Sequence, residues 1–385
     1  MPQIIEIRNA DDPRDVIHRA CQLLAEGHLV AFPTETAYVA AAGALSEAGV
    51  QRLRSLSPGE AVLALKSPHE AHDYVPNMPP AADKLARRAW PGPLTMEFET
   101  SVLNGLYDAL PEVTRQLLSG SDSAVALRVP AHEAILHVQQ LCPAPLVVTS
   151  DRGLSGTPSG TPSATSPGRL ARTAADAALL FGEEVSLVID DGPCRYGEPT
   201  TTIRFRGDHW DLVHQGMISV RNLDRLVSEI YLFVCTGNTC RSPMAEALFR
   251  RHLAERLNCP EDDLMDRGFA VLSAGLSAGV GSQASPEAIA ALEAEGIDLR
   301  SHESQPVTER LLIQADHILT MTRAHQQVIL GEFPELASRV RTLSQDRRDV
   351  SDPYGGTRRE YDDCKAEIER HIIKLVDELG LTGSE

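Results

Sequence analysis

From residue 230 onward, short apolar runs alternate with stretches of helical periodicity, and few folds satisfy that alternation. "IYLFV", "FAVLSA", "HILTM" and "VRTL" read as buried strands, with helices expected at about 243–257, 285–295, 306–314, 323–331 and 357–379. Strands that run the same way need a crossover between them, and a helix supplies it. The pattern therefore predicts a parallel sheet with helices on both faces. In the last helix Ile368, Ile372, Leu375 and Leu379 form one apolar face, closed by Gly380.

The loop that leaves the first of these strands holds the densest chemistry in the chain. "IYLFV" runs into Cys235, and Cys240 and Arg241 follow within six residues. Ser242 and Pro243 read as an N-cap followed by proline at the first helical position. Residues 235–241 thus join the C-terminal end of a strand to the start of a helix, the place where open α/β sheets bind ligands. Backbone N–H groups at such a turn, with the positive end of the helix, favour an oxyanion. Gly237 is expected to supply the backbone freedom of the turn. Arg241 offers a planar fork of donors to phosphate oxygens, and the same field favours a thiolate. One loop carries a nucleophile, an anion cradle and a transition-state clamp. A zinc site would need a second Cys/His pair, which does not follow, so no metal is expected.

The rest of the composition agrees with an enzyme of this kind. The 385 residues suffice for two or three domains. The seven cysteines, Cys21, Cys142, Cys194, Cys235, Cys240, Cys259 and Cys364, are odd in number and scattered, which predicts free thiols. "MPQIIEIRNADD" has neither a basic region nor an apolar run of the signal-peptide kind, and no apolar stretch has membrane-spanning length. A cytoplasmic location is expected. The net charge of −18 is spread over both halves, which argues against broad binding to nucleic acid.

"VCTGNTCRSPMAEAL" resembles the low-molecular-weight protein tyrosine phosphatase family. The resemblance continues through "SAG" (273–275), "GIDLRSHES" (296–304), "ADHILTMT" (315–322) and "DPYGG" (352–356), and covers about 229–380. It implies a doubly wound four-stranded parallel sheet and phosphoryl transfer through a phosphocysteine. Cys235 would be the nucleophile, Arg241 the clamp and Asp352 the proton donor, with Pro353 limiting the backbone beside it. Thr236, Gly237, Asn238, Thr239, Cys240 and Ser242 would form the phosphate-binding loop, with Ser273, His302 and Tyr354 in supporting positions. No cofactor is implied, and phosphorylated proteins are the expected substrates. Thr239 and the glycines of "DPYGG" resemble the protein arginine phosphatase branch, where a hydroxyl faces a guanidinium. Phosphotyrosine remains the alternative substrate.

Before residue 228, "VIHRACQLLAEG", "SEAGVQRLRSL" and "PPAADKLARRAW" read as helices, and "HLVAFP", "AVLAL", "SAVALRVP", "APLVVTS" and "EVSLVID" as strands. "DRGLSGTPSGTPSATSPG" (151–168) reads as a flexible loop or as a lid beside a site. "VAFPTETAY", "WPGPLT", "ALRVPAH", "VVTSDRGLSGTPS" and "DGPCRYGEPTTTI" resemble the YrdC-like family over about 5–215. The resemblance implies a twisted mixed α/β fold with a deep cavity that makes threonylcarbamoyl-AMP from threonine, bicarbonate and ATP for tRNA modification. Three departures bear on it. Tyr38 is followed by "VAAAG" where the family has "GLG". "LRSLSPGE" carries Arg54, with Arg52 just before it, but no Lys-x-Arg pair. "SDRGLSG", with Arg152 and an extra residue, replaces "SAN-x-SG". Synthesis needs paired cations against triphosphate. The expectation is therefore a non-catalytic ligand-binding or regulatory module (1–228), with Thr34, Arg128, Ser150 and Thr201 as candidate ligand contacts. The alternative is an active, ATP-consuming synthase, with nucleotide or tRNA as its partner, fused to a phosphatase (229–385).

Overall fold

The computed structural model describes residues 1–58, 61–120, 123–151, 170–346 and 348–381. The loop-or-lid expectation for 151–168 falls, beyond Asp151, outside the described residues. The chain divides into two compact units, Met1–Leu226 and Val227–Glu385.

The first unit is built on one ten-stranded mixed sheet. Its strands are β1 (Gln3–Glu6), β2 (Leu29–Phe32), β3 (Val39–Gly43), β4 (Ala61–Ala64), β5 (Leu94–Glu99), β6 (Ala124–Arg128), β7 (Leu146–Thr149), β8 (Val185–Asp190), β9 (Thr201–Arg206) and β10 (His209–His214). They lie in the order β1-β8-β2-β3-β7-β4-β6-β5-β9-β10. The helices are α1 (Pro13–Ala25), α2 (Glu47–Leu56), α3 (Pro80–Ala89), α4 (Glu112–Ser119), α5 (Glu133–Leu141), α6 (Ala174–Phe181) and α7 (Val220–Val227). Val16, Ala20, Leu23 and Leu24 of α1 pack on Val30, Val148, Leu187 and Ile189 of the sheet and on Ile135 and Val138 of α5. "VAAAG", the run that departs from the family pattern, is the fully paired strand β3, hydrogen-bonded to β2 and β7.

The second unit has the expected parallel sheet. Its strands are β11 (Glu229–Cys235), β12 (Phe269–Gly275), β13 (His317–Thr320) and β14 (Val340–Thr342), in the order β12-β11-β13-β14, and all pairs are parallel. Its helices are α8 (Arg241–Leu257), α9 (Pro286–Glu293), α10 (Glu309–Gln314), α11 (Arg323–Glu332) and α12 (Arg358–Glu378). The two-residue side-chain period of β11 sorts the core. Tyr231, Phe233 and Cys235 face α8, α9 and α12, whereas Leu232 and Val234 face Leu312 of α10 and Ile329 of α11. α12 buries Ile368, Ile372 and Leu375 as its periodicity predicts, and its start is fixed by a capping box between Thr357 and Glu360. α10 is shorter than its pattern, because Thr308 caps it and Pro306 bridges to Gly275 in extended backbone.

Strand order reverses beside β11, with β12 on one side and β13 on the other. The loop after β11 therefore opens at the switch point of the sheet. Among the described residues, no helix is long and apolar enough to cross a membrane.

Candidate active site

Cys235 is the last residue of β11, and its side chain is buried. Its Sγ lies 2.9 Å from Ser242 Oγ and accepts the Asn238 backbone N–H at 3.2 Å. The loop that brings these groups round the sulfur differs from the sequence expectation in two respects. α8 begins at Arg241, with Cys240 at the N-cap position, so Ser242 is a first-turn residue. It does not cap the helix; its hydroxyl points back to the sulfur. The left-handed residue is Asn238, at φ 53°, whereas Gly237 does not have a positive φ. Asparagine tolerates that conformation better than most residues, and here its side chain holds it in place.

Asn238 is fully buried and anchored on every side. Its Nδ2 donates to Ser242 Oγ at 3.0 Å and to Ser273 Oγ at 2.9 Å. Its Oδ1 accepts the Gln305 backbone N–H at 2.9 Å, which fixes the orientation of the amide. Its carbonyl accepts from His302 Nε2 at 2.8 Å. Ser273 in turn donates to Glu246 Oε2 at 2.6 Å. Because Asn238 donates to the Ser242 oxygen, the Ser242 proton is shared between the sulfur at 2.9 Å and the Ala274 carbonyl at 3.4 Å. Burial raises the Glu246 pKa, opposed by the Ser273 hydroxyl and by Arg250. Gly275, the last residue of β12, lets the loop lie against it: a Cβ there would stand 2.6 Å from the Thr236 carbonyl oxygen and 2.8 Å from the Asn238 nitrogen.

Arg241 is buried at the floor of the site, where Nη2 meets Asp352 Oδ2 at 2.5 Å and Nη1 reaches the Val350 carbonyl at 3.4 Å. Asp352 is half exposed, and its Oδ1 accepts the Tyr354 N–H at 3.2 Å. Tyr354 projects into solvent, 80% exposed. Thr239 is half-buried, with Oγ1 3.6 Å from Cys240 Sγ. The Cys240 thiol lies among other groups than Cys235, 3.3 Å from Tyr361 Oη and 3.4 Å from Ser285 Oγ, and both cysteines are free. Thr236 Oγ1 lies 2.9 Å from His325 Nε2. Burial, and then the charge of Arg241, lower the His325 pKa.

The structure thus gathers Cys235, Thr236, Asn238, Arg241, Ser242, Ser273, His302 and Asp352 around one loop. Sequence reasoning missed Glu246, Gln305 and His325. Glu246 had a usable signal, since it stands four residues after Ser242 on the same face of a helix.

In the first unit the candidate residues stand around one buried cluster: Thr34 Oγ1 lies 3.0 Å from Thr36 Oγ1, which accepts from Arg128 Nη2 at 2.9 Å, and Ser150 and Thr201 are the chain neighbours of Asp151 and Thr200 in that cluster. Thr34 lines a cavity of about 350 Å³ together with Glu35, His132, Asp191 and Cys194. The Thr201 hydroxyl is spent on the backbone of Gly216 and Ile218, and Ser150 is buried at the end of β7. Arg128 is buried between two carboxylates, with Nη2 2.8 Å from Glu35 Oε1 and Nη1 2.9 Å from Asp151 Oδ2. Arg52 and Arg54 lie on the exposed side of α2.

Comparison with known proteins decides the family. The low molecular weight phosphotyrosine protein phosphatase profile matches residues 230–384. The chain is 40% identical over 152 residues to the protein-arginine-phosphatase of Bacillus subtilis, covering 38% of this chain and 95% of that protein. The chain belongs to the low molecular weight phosphatase family. Another member similar to it is the low molecular weight protein-tyrosine-phosphatase PtpB of Staphylococcus aureus, 37% identical over 38% of this chain and 96% of that one. A crystal structure of a YwlE mutant from Bacillus subtilis is 39% identical over 40% of this phosphatase chain and 99% of that chain, at a TM-score of 0.36. The same chain also matches, over residues 22–216, the Sua5, YciO and YrdC family described as "Telomere recombination". The threonylcarbamoyl-AMP synthase of Pyrococcus abyssi is 29% identical over 62% of the chain, which spans 65% of that relative.

Proposed function

We propose that the second unit is a cysteine-dependent protein phosphatase whose substrate is phosphoarginine. The arrangement that carries this reading is the Cys235 sulfur at the switch point, facing the Ser242 hydroxyl and the Asn238 N–H, with Arg241 and Asp352 beside it. The Cys235 thiolate attacks phosphorus in line with the leaving nitrogen, a P–S bond forms and the P–N bond breaks. Asp352 gives its proton to the departing guanidine nitrogen. Arg241 and the loop amides hold the equatorial oxygens as charge spreads onto them. Asp352, now a carboxylate, takes a proton from water, whose oxygen attacks phosphorus and releases phosphate and Cys235.

The choice of phosphoarginine rests on Thr239 and Gly355, and on likeness to a relative named a protein-arginine-phosphatase. A hydroxyl accepts from a guanidinium N–H, and an aliphatic side chain leaves that donor unpaired at about 1–3 kcal/mol. For phosphotyrosine, the competing substrate, Tyr354 supplies an aromatic at the mouth of the site. The first unit is read as a non-catalytic module, because Arg52 and Arg54, the cations nearest the missing Lys-x-Arg element, are exposed on α2, and Arg52 Nη1 lies 3.0 Å from His28 Nδ1. The test is turnover by the full chain of proteins carrying phosphoarginine, phosphotyrosine or phosphoserine, with Cys235→Ser as the control. Faster hydrolysis of phosphotyrosine than of phosphoarginine would overturn the substrate assignment. ATP consumption dependent on threonine and bicarbonate would overturn the reading of the first unit.

A further inference from the structure

Asp151 stands where the YrdC-like pattern has alanine, and what surrounds it is a complete set of hydrogen-bond donors. Its Oδ2 accepts from Arg128 Nη1 at 2.9 Å, from the Thr36 hydroxyl at 2.6 Å and from the Thr200 backbone N–H at 3.1 Å. Its Oδ1 accepts from the Thr200 hydroxyl at 3.0 Å. All three donor residues are at most 4% exposed. The donors come from separate parts of the chain: Thr36 from the turn between β2 and β3, Arg128 from the end of β6, and Thr200 from just before β9. They are also held independently of Asp151. Arg128 Nη2 is fixed by Glu35 and by Thr36 Oγ1 at 2.9 Å, and Thr200 Oγ1 lies 3.1 Å from Thr95 Oγ1. A guanidinium, two hydroxyls and a backbone N–H converging on one carboxylate have the composition of an oxyanion-binding site.

We infer that the first unit contains a preformed site for a single oxyanion group, carboxylate or phosphate, and that the Asp151 carboxylate is its built-in occupant. In the native chain the site is closed to external anions, since a second anion would meet two buried carboxylates, Glu35 and Asp151, balanced by one guanidinium. This identifies Asp151 as the residue that determines what the unit rejects. The inference is independent of the phosphatase chemistry of the second unit.

The test is Asp151→Ala in the full chain, followed by thermal unfolding in acetate, in inorganic phosphate and in chloride at matched ionic strength. The variant is expected to unfold at a lower temperature than the native chain in chloride and to recover in a saturable way with one of the two oxyanions. The native chain is expected to be indifferent to which salt is present. Preferential recovery in acetate marks a carboxylate site, and in phosphate a phosphate site. Equal responses of native chain and variant to every salt would overturn the inference. If the alanine variant does not fold, Asp151→Ala combined with Arg128→Met and Glu35→Gln removes all three buried charges together. That triple variant is expected to fold and to unfold at the same temperature in acetate, phosphate and chloride, because no buried charge is left unpaired and the cation that would hold an oxyanion is gone. A triple variant that still responds to acetate or phosphate would refute the built-in occupant.

Discussion

Arg241 Nη2 and Asp352 Oδ2 are 2.5 Å apart, so the clamp and the proton donor of the proposed mechanism hold each other. A bound phosphoryl group has to take Arg241 from Asp352. Asp352→Asn is therefore expected to do two things at once. Turnover should fall by roughly 10²–10⁴, the usual cost of losing a general acid. Binding of inorganic phosphate should tighten, because the arginine no longer faces a carboxylate. Single-turnover kinetics and phosphate inhibition constants measure the two effects separately, and unchanged phosphate affinity would show that the ion pair does not compete with substrate.

Gly237 and Gly275 are expected to respond oppositely to alanine. Gly237 lacks a positive φ, and the nearest atom to an added Cβ is Thr239 Oγ1 at 3.6 Å, so Gly237→Ala should keep most of its activity. A Cβ at Gly275 meets the backbone of Thr236 and Asn238 inside van der Waals contact. Displacing the loop by even a fraction of an ångström should lower kcat/KM by about 10–100-fold. Assays of both variants against one phosphorylated protein decide the matter.

Thr239→Ile should shift the ratio of kcat/KM for phosphoarginine over phosphotyrosine by roughly tenfold to a hundredfold, toward tyrosine. Equal loss on both substrates would mean that Thr239 only shapes the loop.

Acid should destabilise the protein through its buried histidines. Burial lowers the pKa values of His325, His132 and His371 in the folded state. The unfolded chain then binds protons that the folded one refuses. Stability is unaffected above about 6.5, where both states are neutral, and falls as pH drops from there toward the depressed folded values. His325→Gln should flatten that slope and leave stability at alkaline pH less affected, which denaturant titrations across the acid range would reveal.

Glu246 gives the opposite sign. Its raised pKa means that the ionised carboxylate costs stability above the folded value and that the cost disappears as the group protonates. Glu246→Gln keeps an acceptor for Ser273 and should raise the melting temperature at neutral pH more than at pH about 4, near the unfolded carboxylate value.

The legible part of the site is the part that is continuous in sequence. Cys235, Arg241 and Ser242 share one strand-to-helix junction, so their spacing alone brings them together. The four-stranded sheet was readable for a similar reason, since each strand is a short apolar run followed by its own helix. Gln305 and His325 were not, because each reaches the loop from another element and looks locally like any polar loop or helix residue; Glu246, on α8 with Arg241 and Ser242, carried its only signal in its four-residue spacing from Ser242. The backbone detail was misassigned because glycine is the default left-handed residue, whereas Asn238 adopts that conformation with five hydrogen-bonding partners to hold it. In the first unit, "SDRGLSG" departed from the family pattern, but the sequence did not single out Asp151, because only the fold brings Thr36, Arg128 and Thr200 to it.

The chain enters the sheet of the second unit at Glu229, and Cys235 ends the strand that starts there. Seven residues of strand span roughly 20 Å, so the entry point and the sulfur lie at opposite ends of one interior strand. Everything that grips the sulfur arrives later in the chain than Glu229. A protein engineer can therefore exchange or remove whatever precedes that residue without deleting any side chain that holds the nucleophile.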